Sequence, residues 1–204
     1  LSVGSVINEL SQNCSASAPY IAEFASRMGG VGAQAGMTVQ QIMGFAAVLD
    51  SNNQKLEASS TALSQVIVRI YQDPAKYARV AGMDVQKFAD LVKTDMNAAL
   101  IEFLSTLKRA GNMDILSPMF KDMGENGSRA ISALSTLANH IDEVKSQQLV
   151  ANEAFEEATS IDKEFEVQNN TVQAQLDKAK NRVHELAVEL GEKLQPVMRL
   201  VISS

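Results

Sequence analysis

The chain has 204 residues, 46% of them hydrophobic and 21% charged, with 11 Gly, 4 Pro and no Trp. That is the balance of a globular chain and excludes collagen-like, Pro-rich and disordered classes. A net charge of −6 speaks against a nucleic-acid surface, and the single cysteine, Cys14, excludes a disulfide framework and a cysteine-built zinc cage.

Few breakers and 26 alanines favour helix throughout. Leu1 opens the chain with neither a basic n-region nor an A-x-A site, so no signal peptide is expected, and the missing initiator Met points to an excised fragment. The periodicity predicts helices over 3–13, 18–34, 38–52, 56–72, 75–81, 84–93, 95–110, 115–123 and 127–138. Pro19 and Pro74 suit first-turn positions after short breaks.

Gly30-Val31-Gly32-Ala33-Gln34-Ala35 matches a loose dinucleotide fingerprint, with Asp50 downstream. The fingerprint requires a buried strand directly before it. The preceding run Tyr20–Met28 reads instead as an amphipathic helix, so these glycines are expected to end a helix and let two helices approach. Met28–Leu49 carries no charge and is nominally long enough to span a bilayer. Its glutamines, Thr38 and glycines favour two helices around a turn, and no membrane span is expected.

Gly36-Met37-Thr38-Val39-Gln40-Gln41 and Gly82-Met83-Asp84-Val85-Gln86-Lys87 share one grammar. The glycine suits the left-handed position that ends a helix, and Thr38 and Asp84 are N-cap types. Met37 with Ile42, and Met83 with Phe88, have hydrophobic-staple spacing; Thr38 with Gln41 forms a capping box. Gly111-Asn112-Met113-Asp114 is a weaker third copy, in which Ser117-Pro118 competes as cap and first helical residue. The reuse is read as a common helix-start signal rather than as a true repeat.

Charge is unevenly distributed. Residues 1–60 are net −2 with only six charged side chains, 61–140 are net +1, and 141–204 are net −5 with twelve acids and seven bases. An almost uncharged N-terminal third must bury its small and apolar faces. From Ser128 to Leu190 there is neither Gly nor Pro. Within that run Val172, Leu176, Ala179, Val183, Leu186 and Leu190 form a heptad seam, and Ala151, Phe155, Ala158, Ile161 and Phe165 keep a similar stripe. A narrow apolar stripe on a charged helix favours pairing with another chain, here a homo-oligomer through the C-terminal helix; folding back near Asn169-Asn170 is the alternative. The expectation is an all-α chain, with a compact module over 1–138 and a long amphipathic helix or coiled-coil-like rod over 139–204.

Chemistry is sparse. Glu153, Glu156 and Glu157 share a helix face, but a di-iron bundle also needs Glu-x-x-His pairs, and neither His140 nor His184 has an acid three residues before it. His140 reads as a junction or surface group, His184 as part of a polar face, and Cys14 as a small buried thiol. Lys178, Lys180 and Arg182 lack interleaved aromatics, so no specific nucleic-acid binding is expected. No nucleophile, base and orienter assemble in the sequence. Neither a catalytic residue nor a cofactor or metal ligand is assigned.

The order of segments resembles the helical core of phage tail tape-measure proteins. The resemblance rests on Val6-Ile7-Asn8-Glu9-Leu10, Ile21-Ala22-Glu23-Phe24-Ala25-Ser26-Arg27, Gly36–Ile42 and Glu57–Leu63. Its C-terminal part is Ala158-Thr159, Leu176–Asn181 and Glu189-Leu190-Gly191-Glu192-Lys193-Leu194-Gln195-Pro196-Val197. It implies a non-enzymatic virion structural protein of a long-tailed phage or prophage. Such a protein is assembled in the bacterial cytoplasm with tail-tube subunits and tail-assembly chaperones, sets tail-tube length, and leaves with DNA ejection. The alternative expectation is a helical membrane-active or secreted effector or translocator, which would use the uncharged Met28–Leu49 region against a bilayer.

Overall fold

The structure, a computed structural model, describes residues 2–121, 125–158 and the single position 174. The chain divides into two units, of which Leu1–Ala158 is the first. The six seam residues Val172 to Leu190, the Asn169-Asn170 position, His184 and the Lys178–Arg182 basic patch lie outside the described residues.

All regular structure among the described residues is helical, so the fold is all-α. The elements are α1 (Ser2–Asn13), α2 (Ala18–Gln34), α3 (Val39–Ser51), α4 (Leu56–Gln72) and α5 (Pro74–Val80). They continue with α6 (Val85–Thr94), α7 (Met96–Ala110), α8 (Asn112–Phe120) and α9 (Glu125–Asn139). Helical residues 141–158, here α10, follow the single turn residue His140. The boundary that the charge pattern sets at 138 therefore falls inside the first unit, whose core takes Ile141, Val144, Ala151 and Ala154 from α10.

Local chemistry explains most helix ends. Ser17 caps α2 by accepting from the Tyr20 N–H, and its own N–H donates to Asp50 Oδ2 at 2.7 Å, tying the start of α2 to the end of α3. Thr38 and Gln41 form the reciprocal capping box of α3. Asp73, Asp84 and Asp95 cap α5, α6 and α7 by accepting from the Lys76, Lys87 and Ala98 N–H groups.

Gly36 and Gly82 have φ of +74° and +67°, and each closes its helix with a pair of backbone bonds: Gly36 N to Ala33 O with Met37 N to Gly32 O, and Gly82 N to Arg79 O with Met83 N to Ala78 O. A third instance of this stop lies at Asn53, with φ of 57° and Gln54 N bonded to Leu49 O. Asparagine tolerates the left-handed region better than most residues. Gly111 was the expected third copy, but it joins α7 to α8 directly, serving as C-cap of one and N-cap of the other. α8 consequently starts at Asn112, and Pro118 sits inside the helix rather than at its first position. The proline ring withholds one N–H from the helix there.

α3 is the hub. Every residue from Ile42 to Leu49 is buried, and the helix touches α1, α2, α4 and α9. A helix surrounded on all sides has no face on which to place charge, which accounts for the uncharged stretch from Ile42 to Leu49. Met28–Leu49 is the last part of α2, a turn, and most of α3. No helix among the described residues is long and apolar enough to cross a membrane. Farther along, Arg69 of α4 donates to Met119 O at 2.9 Å and lies over the Phe120 ring, fastening the end of α8.

Candidate interaction surfaces

Several sequence features with apparent chemical meaning are structural. Gly30–Ala35 occupies the last turns of α2 and the residue after it, where no strand-to-helix turn exists. Gly32 is buried, and a Cβ there would overlap Ile42 Cδ1 of α3, so this glycine permits the close α2–α3 approach. Gly30 meets nothing within 4 Å. Cys14 is half-buried, its Sγ donating to Leu10 O at 3.0 Å. His140 sits at the α9–α10 junction with Nδ1 2.8 Å from Glu143 Oε1. Glu153, Glu156 and Glu157 are exposed on α10, and no group of His, Cys, Asp and Glu among the described residues could hold a metal ion.

Surface depressions among the described residues include an apolar one and a charged one. The first, about 320 Å³, lies between the C-terminal ends of α2 and α4 and is lined by Val31, Ala35, Val68 and Tyr71 with Gln34 and Gln72 at its polar points. Tyr71 is 58% exposed and Val68 38%. The period of α4 could have revealed them: Leu63, Val66, Ile67 and Ile70 form its buried stripe, and Val68 and Tyr71 are apolar residues off that stripe. Such a groove offers contact area to an apolar side chain but no acid–base chemistry.

The second, about 300 Å³, is bordered by Arg27, Glu57, Thr61 and Arg129. Arg27 pairs with Glu23 at 2.8 Å and faces Glu57 at 3.6 Å. Those carboxylates, chiefly the Glu23 hydrogen bond, hold its guanidinium pKa above the ordinary value. An arginine so compensated is a structural ion pair rather than an open anion receptor. In the first turn of α2, burial pushes the Tyr20 hydroxyl above its usual pKa, the Asp50 charge adds to the effect, and the Ser59 hydroxyl opposes it.

A constellation absent from the sequence reading joins three helices. Gln148 of α10, only 6% exposed, donates from Nε2 to Asn97 Oδ1 of α7 at 2.8 Å and to Gln41 O of α3 at 3.0 Å. Its Oε1 accepts from Asn97 Nδ2 at 3.0 Å. The signal for it was present: Ile141, Val144, Gln148, Ala151, Phe155 and Ala158 follow heptad spacing, and Gln148 is the polar member.

A model of a family described as phage-related minor tail protein matches residues 1–121, the span from α1 to the residue after α8. No curated protein and no solved structure matches the chain.

Proposed function

The chain belongs to the phage-related minor tail protein family, and we propose that it is a segment of the tape-measure protein that sets tail-tube length during assembly. The family carries a structural role in the phage tail. Supporting the finer reading is one observation above the rest: a run from Ser128 to Leu190 without Gly or Pro begins shortly after the family-matched residues 1–121. An uninterrupted helix adds about 1.5 Å per residue, so chain length becomes distance without any chemical step. On this reading the protein works non-enzymatically, meets tail-tube subunits and assembly chaperones in the host cytoplasm, and leaves the virion with the DNA.

The test is made in the phage or prophage gene that encodes the chain. Tandem duplication of residues 172–190 lengthens the tail by about 1.5 Å per added residue, read from electron micrographs of tails. Normal assembly with unchanged tail length defeats the ruler reading.

Self-association through Val172, Leu176, Ala179, Val183, Leu186 and Leu190 belongs to the same proposal. Leu186→Asp lowers the mass found by sedimentation, and a mass independent of both concentration and this substitution excludes the seam.

A further inference from the structure

We propose that α10 is a strap that opens and recloses on α3 and α7 as a unit while the rest of the first unit stays folded, with Gln148 as its key. This goes beyond the tail role and does not depend on it. The argument begins with what holds α10 down. Along its buried stripe, Ile141 and Val144 lie near the α9 junction, and beyond Gln148 the buried positions are Ala151, Ala154 and Ala158, with Val150 and Phe155 partly buried against the core. Alanine removes little apolar area from water and neither larger side chain is fully covered, so this half of the helix buries less apolar area per residue than a leucine-bearing helix. α9, by contrast, inserts Leu134 and Leu137. Leu149, the large aliphatic next to the key, is 59% exposed.

Position, on the other hand, is tightly specified. The side-chain amide of Gln148 makes three hydrogen bonds, two to Asn97 and one to the Gln41 carbonyl. At the same crossing Gly44 of α3 faces the Gln148 backbone so closely that an added Cβ would lie 3.0 Å from its N and 3.1 Å from its Cα. A slip of one residue along α10 breaks all three bonds and drives a side chain into α3. A polar residue at a heptad position fixes register in this way at some cost in stability.

Opening is chemically easy for such a contact. The freed amides of Gln148 and Asn97 exchange protein partners for water, so their net contribution to docking is small compared with that of an equal apolar area. The hydrogen-bond ladder His140 N to Thr136 O and Val144 N to His140 O carries α9 into α10. The strap therefore keeps a formed helix to grow from when it lifts. Opening uncovers the Gly44 side of α3.

Amide hydrogen exchange on the whole chain tests this. In the native protein, α10 amides exchange at least about tenfold faster than those of α3 and α4, the mark of a local opening below the global one. Gln148→Leu strands Asn97, and Asn97→Ala strands part of Gln148. Both speed exchange in α10 about tenfold further and leave α4 and α9 within about twofold of native. Equal rates in α10 and α3 of the native chain, acceleration spread evenly over all helices, or no acceleration in α10 each overturn the proposal.

Discussion

α3 and α10 cross at Gly44 and Gln148, and they are held by opposite means. α3 is apolar around its whole circumference from Ile42 to Leu49 and gains its place by area. α10 presents Ile141 and Val144 near the α9 junction, then alanines with a partly buried Phe155, and takes its register from the one amide among them. Area is non-directional and strong; an amide pair is directional and nearly neutral in net energy. One helix accordingly supplies stability, and the other accuracy of placement.

The largest effect that would break this contrast is in the hub. Phe45 is 0% exposed, and Phe45→Ala should cost about 3–5 kcal/mol in urea unfolding followed by circular dichroism. A loss under about 1 kcal/mol would mean that α3 is not the stabilising helix.

Next come the two glycines at helix crossings. Gly44→Ala meets backbone, which cannot rotate away, and should cost about 1–3 kcal/mol despite the better helix propensity of alanine. Gly32→Ala meets the end of the Ile42 side chain. A rotamer change there, with the propensity gain of about 0.5–1 kcal/mol, should leave stability within about 0.5 kcal/mol of native. Equal losses at both glycines would erase the distinction between a keyed crossing and an ordinary one.

Thr38→Ala removes one half of the α3 capping box and should cost about 1 kcal/mol by the same assay.

The smallest effect is electrostatic. Burial raises the Tyr20 pKa in the folded state above the ordinary tyrosine value of 10.0. The neutral phenol thus holds its full share of stability below 10.0 and loses it as pH climbs from there through the raised folded value, because the unfolded chain gives up the proton first. Tyr20→Phe should flatten this alkaline loss in urea midpoints compared on either side of that pH; an unchanged slope would remove Tyr20 from the account.

Most of the helical layout was legible. Residues 18–34 and 56–72 are helices with the expected bounds, and the remaining expected helices are displaced by one to three residues. Caps and left-handed glycines act through neighbours in sequence, which is why Thr38, Asp84, Gly36 and Gly82 could be read directly. Asn53 escaped because asparagine is a weaker signal than glycine for the same backbone state. Pro118 was placed at a helix start because proline favours that position, whereas the Gly111 junction set the start earlier. The Gln148–Asn97 pair escaped for a different reason. Its partners lie 51 residues apart, and periodicity identifies a polar residue on a stripe without naming what it will face. The exposed pair Val68 and Tyr71 shows the converse, since a residue off the stripe is visible in sequence while the groove it borders needs the second helix.

The bond from Gln148 to the Gln41 carbonyl spans 107 residues, which gives synthesis a fixed order. α1, α2 and α3 are neighbours along the chain as well as in space, so they are free to gather as soon as they emerge from the ribosome, while the flank of α3 around Gly44 waits. Closing so wide a loop costs chain entropy, and its counterpart is translated after the other helices of the first unit. For that interval the newborn protein carries an unfinished greasy wall, and the speed of translation sets how long the wall stays bare.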